Sequence, residues 1–96
     1  FKLPSGLRMV SAVDETGSVR EACKRMQISY STGWNIIRTL ESQLSKPLIE
    51  RTQGGSHGGK SFLTESGHQL LDRYNAYSAA IKSTATELFS KYFDEL

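Results

Sequence analysis

The chain of 96 residues has one cysteine, Cys23, two prolines and two histidines. A single thiol excludes an intrachain disulfide and a thiolate metal cage, and it fits a reducing cytoplasm better than an oxidising compartment. His57 and His68 have no second His or Cys at a ligand spacing, so neither marks a metal site. Carboxylates fall at caps and on exposed faces, with no sign of the paired arrangement that acid–base catalysis needs. No apolar run approaches the roughly 18 residues of a membrane-spanning helix. The first residues do not read as a charged-then-apolar leader. These gaps argue against an enzyme, a cofactor protein and a membrane protein, and nothing marks a site for a small-molecule effector. What remains is one small domain that buries only about 60–65% of its unfolded surface, for which self-association is the natural source of added stability.

The charge that is present is uneven. Residues 20–60 hold Arg20, Lys24, Arg25, Arg38, Lys46, Arg51 and Lys60 against Glu21, Glu41 and Glu50. Residues 61–96 reverse the balance, with Arg73, Lys82 and Lys91 against Glu65, Asp72, Glu87, Asp94 and Glu95. A basic middle beside an acidic tail points to a polyanionic partner for the middle.

Periodicity places the helices. Leu7, Val10 and Val13 with Met9 predict a helix over residues 5–16, ended by Gly17. Ser18 and Glu21 form a Ser-x-x-Glu capping box for a second helix. Its apolar face is Val19, Ala22, Cys23 and Met26, which makes Cys23 a small core residue. Ser29 is the N-cap of a third helix that runs to Leu44, where Ser45-Lys46-Pro47 stops it. Leu48–Arg51 and Ser61–Leu63 read as strands on either side of a glycine-rich loop, hence a hairpin. Thr64 caps a last helix that continues to about Phe93.

That last helix carries Leu70, Tyr74, Tyr77, Ile81 and Leu88 in a 4-3-4 rhythm broken at Thr84. The seam is too long for the rest of the chain to cover. Tyr74, Tyr77, Ile81 and Leu88 are therefore the expected dimer contacts, the other reading being a helix folded back on its own domain.

Helix, turn, helix and hairpin is the winged helix-turn-helix plan, in which the second helix of the pair must show a polar face to the major groove. On a helical wheel Ser31, Thr32, Asn35, Arg38, Thr39 and Ser42 share one arc with no acid among them. Ser31, Thr32, Asn35 and Arg38 are the candidate base contacts. Asn35 has the geometry for adenine, and Arg38 reaches guanine or a phosphate. Lys24, Arg25, Ser29, Arg51, His57 and Lys60 are the candidate DNA-backbone contacts. Gly33 lies inside this helix at a cost of roughly 1 kcal/mol against alanine. Close approach of a neighbouring helix accounts for it better than backbone exposure to DNA. Trp34 faces the apolar side and reads as a core-edge anchor rather than an intercalating group.

The loop from Gly54 to Ser61 also matches the phosphate-loop pattern G-x-x-x-x-G-K-[ST]. That mechanism needs a helix starting at the Lys-Ser pair. Lys60-Ser61 runs instead into Phe62-Leu63 and a fresh cap at Thr64, which leaves a wing, or a plain hairpin tip, as the better readings.

The run Gly17-Ser18-Val19-Arg20-Glu21-Ala22-Cys23-Lys24 resembles the first half of the helix-turn-helix in LysR-type bacterial regulators. Ile28-Ser29-Tyr30-Ser31-Thr32-Gly33-Trp34-Asn35 is similar to the N-terminal domain of ModE-type, molybdate-responsive regulators, with their Ile-Ser-Tyr-x-x-Ala-Trp. Leu48-Ile49-Glu50-Arg51-Thr52-Gln53-Gly54-Gly55 resembles that family's Leu-Val-Glu-Arg-x-x-Gly-Gly wing, and Leu63-Thr64-x-x-Gly67 continues the likeness. The resemblance covers roughly residues 7–81. It implies a dimeric winged helix-turn-helix that binds operator DNA, with the long helix mediating the dimer. Gly33 replaces the usual alanine. The few residues after Phe93 do not match the oxyanion-binding domains through which ModE-type regulators sense molybdate, so the likeness carries DNA binding and not molybdate sensing.

The expectation is thus a mainly α chain, with residues 1–63 a winged helix-turn-helix and residues 64–96 a linker and dimerisation helix. Its function would be that of a cytoplasmic, homodimeric, sequence-specific transcriptional regulator of double-stranded DNA. The alternative is a protein-interaction module on the same scaffold.

Overall fold

The computed structural model describes residues 3–52 and 60–95. In chain order it has α1 (Leu3–Thr16), α2 (Val19–Met26), α3 (Tyr30–Leu44), β1 (Ile49–Arg51), β2 (Ser61–Leu63) and α4 (Glu65–Phe93). The expected mainly α, winged helix-turn-helix plan is what the chain forms. The loop that carries His57 and most of the phosphate-loop letters lies outside the described residues.

Each boundary has a local cause. α1 starts two residues before Ser5, with Pro4 in its first turn, where the missing proline N–H has no helical partner to lose. Gly17 ends it in the left-handed region at φ +70°, its N–H donating to the Val13 carbonyl at 2.8 Å. The Ser18 cap forms, its Oγ accepting the Glu21 N–H at 3.2 Å. The returning half of the expected capping box does not. The Ser18 N–H donates to Thr16 Oγ1 at 3.3 Å, so Glu21 is left to pair with Lys24 at 3.3 Å.

Two helices end in the same way. α2 stops at Gln27 with φ +59°, and the Ile28 N–H reaches back to the Cys23 carbonyl at 3.0 Å. α3 stops at Ser45 with φ +54°, and the Lys46 N–H reaches the Glu41 carbonyl at 3.2 Å. Both are left-handed caps on non-glycine residues. Pro47 therefore follows the end of α3 rather than making it.

One core joins all the elements. Met9, Val10 and Val13 of α1 meet Val19, Ala22 and Cys23 of α2, then Ile37 and Leu40 of α3. Leu48, Ile49 and Leu63 close it from the hairpin, and Leu71 from α4. Cys23 is 2% exposed, a core residue as its spacing predicts, and burial pushes its thiol up from the ordinary range.

The hairpin is antiparallel, with Ile49 opposite Leu63, Glu50 opposite Phe62 and Arg51 opposite Ser61. Period-two alternation turns Ile49 and Leu63 inward and Glu50 and Phe62 outward. Three ties hold its root. The Glu41 carboxylate of α3 accepts the Leu48 N–H at 2.7 Å and the Ile49 N–H at 3.3 Å. The Ser61 N–H donates to the Gly17 carbonyl at 2.9 Å, and Thr64 Oγ1 donates to the Pro47 carbonyl at 2.7 Å. Thr64 Oγ1 also accepts the Gly67 N–H at 3.0 Å, capping α4 as expected. With 29 residues α4 runs about 43 Å, and the molecule's longest extent is 61 Å. The start of α4 packs on the head. The rest projects from it.

Candidate nucleic-acid interface

α3 divides cleanly. Gly33, Ile37 and Leu40 are buried, while Ser31, Thr32, Asn35, Arg38, Thr39 and Ser42 are exposed on its other side. The helix begins with a hydroxyl cluster. Ser29 Oγ accepts the Thr32 N–H at 3.2 Å and donates to Thr32 Oγ1 at 2.8 Å, with Ser31 Oγ at 3.4 Å. The cap fixes the backbone of the first turn, and hydroxyls at that end present both donors and acceptors. Thr32, Asn35 and Thr39 line a shallow groove with Gln43 and with Ser5 of α1. Ser5 joins the polar face through tertiary packing, a contribution that no local pattern marks.

Gly33 has a specific cause. A Cβ there would overlap Cys23 Sγ of α2 and come within 3.4 Å of Met9 Cε. Close approach of the neighbouring helix explains the glycine, and α2 is the neighbour.

Trp34 is half-buried at the edge of the core. Tyr30 meets it edge-on at 6.4 Å between centroids and 79° between planes. The guanidinium of Arg38 lies 5.6 Å and that of Arg51 5.2 Å from the Trp34 centroid, and Arg20 lies 4.8 Å from that of Tyr30. Cations over aromatic faces are attracted by the ring quadrupole. Arg20 is not among the residues expected from sequence, because its aromatic partner lies on α3 and no pattern within α2 marks the contact.

The remaining candidates scatter. Lys24 is exposed and paired with Glu21. Arg25 pairs with Glu15 of α1 and shares a groove with Arg8, Ser11, Met26 and Tyr74, so it is not gathered with the polar face of α3. Lys60 is exposed at the wing root, where Thr52 Oγ1 accepts its N–H at 3.2 Å. His57 lies outside the described residues. On α4, Tyr74 is half-buried and Tyr77, Ile81 and Leu88 are exposed. Phe89, Tyr92 and Phe93 are exposed too, with Phe89 and Phe93 stacked at 4.8 Å. They were missed because the 4-3 rhythm passes through Lys91 instead. Among the described residues no group of three or more His, Cys, Asp or Glu is placed to hold a metal ion, and no helix is long and apolar enough to cross a membrane.

Comparison with known proteins agrees with this geometry. Residues 5–68 match the model of bacterial regulatory helix-turn-helix proteins of the lysR family. The chain is 30% identical over 82 residues to the molybdenum transport protein ModE of Azotobacter vinelandii, covering 85% of this chain and 30% of that one. It is 29% identical over 90 residues to the DNA-binding transcriptional dual regulator ModE of Escherichia coli (strain K12), covering 94% and 34%. The chain thus spans about a third of the length of these relatives. The solved CbnR_DBD–DNA complex shares the fold at a TM-score of 0.72 and 24% identity, covering 92% of this chain and 95% of that one.

Proposed function

The chain belongs to the lysR family of bacterial regulatory helix-turn-helix proteins, and from that premise we propose that it is a sequence-specific, double-stranded-DNA-binding transcriptional regulator. The observation that carries this reading is the exposed, acid-free face of α3, with Ser31, Thr32, Asn35, Arg38 and Thr39 turned away from the core. A helix with such a face fits the major groove, where donor and acceptor patterns distinguish the base pairs. Arg51 and Lys60 at the wing root, with Lys24 and Ser29, serve the phosphate backbone in this reading. The similar ModE protein of E. coli is described as DNA-binding, and CbnR_DBD was solved on DNA, which supports the assignment.

The division of labour follows the elements. Residues 1–63 read DNA and residues 64–96 pair two copies through Tyr74, Tyr77, Ile81 and Leu88. The cytoplasm is the compartment where such a regulator works.

Anisotropy of the purified chain with a random-duplex pool across salt, with sequencing of the retained fraction, tests the proposal. The expected result is a two-fold-related motif and affinity that falls steeply with salt as counterions are released. Weak binding with no motif from folded protein would assign the scaffold to protein–protein interaction instead. On the enriched motif, Asn35→Ala should lose about 1–3 kcal/mol of discrimination at one base step. Equal loss on every sequence would remove Asn35 from the bases.

A further inference from the structure

The basic residues nearest α3 are not independent. Arg20 comes from α2, Arg38 from α3 and Arg51 from β1, and all three guanidiniums lie over the rings of one contacting aromatic pair. Tyr30, Trp34 and Arg38 recur every four residues, so they stack along one side of α3, beside the arc of Ser31, Asn35 and Ser42. Arg38 and Arg51, from different elements, share the Trp34 ring. Among the described residues neither has a carboxylate within ion-pair distance, in contrast to Lys24 and Arg25. Trp34 is itself seated on the core, which fixes the ring.

We propose that Trp34 is a positioning residue that holds Arg38 and Arg51 as a single clamp for one DNA backbone phosphate, at the junction of α3 and the wing, with Tyr30 holding Arg20 on the same line. The inference rests on the DNA-binding reading and deepens it by moving Arg38 from the bases to the backbone. Arginine binds phosphate through a bidentate fork of N–H donors, and here one ring carries two such guanidiniums. Recognition then divides across α3, with small hydroxyls and Asn35 on the bases and the aromatic side on the phosphates.

The test is the salt dependence of binding to a mixed-sequence duplex by the whole chain and its variants. One phosphate contact contributes about 0.9 to the slope of log affinity against log salt. Arg51→Gln and Arg38→Gln should each lower the slope by about 0.9, and the double variant by no more than either alone. Trp34→Leu should lower it similarly although every charge remains, while Trp34→Phe, which keeps a ring, should restore it. A Trp34 role confined to packing would lower the melting temperature and leave the slope alone. Additive slope losses in the double arginine variant, or an unchanged slope in folded Trp34→Leu, would overturn the clamp while leaving DNA binding intact. The arginine pair decides the question by itself where Trp34→Leu does not fold. A wild-type chain with no salt-dependent affinity would overturn the DNA-binding reading and the clamp together.

Discussion

The head and the far half of α4 are built on opposite terms. In the head, apolar side chains from every element converge, and Met9, Val10, Val13, Ala22 and Ile37 are fully buried. Beyond Leu71 no described residue of the helix is buried, and Tyr77 is 63% and Tyr92 67% exposed. Burial stabilises the head within one chain. An isolated helix of a few turns is marginal in water without a packed face. The difference teaches where stability within one chain ends, and the proposed dimer is what would cover the rest.

The sharpest way to break the comparison is to charge that surface. Ile81→Glu combined with Leu88→Glu should convert a dimer to a monomer in light scattering and lower operator affinity by about 10²–10⁴-fold through lost avidity. The head's own thermal transition should persist. A wild-type chain that is already monomeric would contradict the dimer reading.

Changes in the head should do the reverse, costing stability without touching association. Glu41→Ala leaves the Leu48 and Ile49 N–H groups without their partner and should cost about 1–3 kcal/mol in urea denaturation. No loss would mean that water replaces the carboxylate. Gly33→Ala forces a methyl against Cys23 Sγ. Overpacking of about 1–3 kcal/mol, less about 1 kcal/mol gained in helix propensity, leaves a net cost of roughly 1 kcal/mol. Adding Cys23→Ala should recover most of it; a second loss on top of the first would disprove the contact.

The smallest effect is on pH. Burial raises the Cys23 thiol's pKa in the folded chain above its unfolded value. The stability tied to the protonated thiol is therefore complete below the unfolded value, about 8.5, and is lost as pH rises through the folded one. Melting curves on the alkaline side should fall less steeply for Cys23→Ala than for wild type. Parallel curves would show that other groups set the alkaline limit.

Much of this was legible in the residues themselves. Val19, Ala22 and Cys23 mark the buried face of α2, and Ser29 and Thr64 announce their helices, because periodicity and caps are local properties. Gly33 could be flagged from its cost in a helix, but only the fold shows that α2 is what it makes room for. The left-handed Gln27 and Ser45 were not legible, since glycine is the usual signal and neither residue is one. Glu41 looked like surface charge because its partners are backbone N–H groups, which no side-chain pattern reveals. Arg20 and Arg51 meet the aromatic pair across different elements, so their gathering belongs to tertiary structure. The polar arc of α3 was visible on a wheel, whereas its neighbour Ser5 was not.

The bare end of α4 also bears on how a cell would hear this protein. If the proposed dimer is the species that binds DNA, occupancy would follow the square of the chain's concentration at low concentration, not simple proportion. In that arrangement a change in synthesis or degradation would be amplified in promoter occupancy.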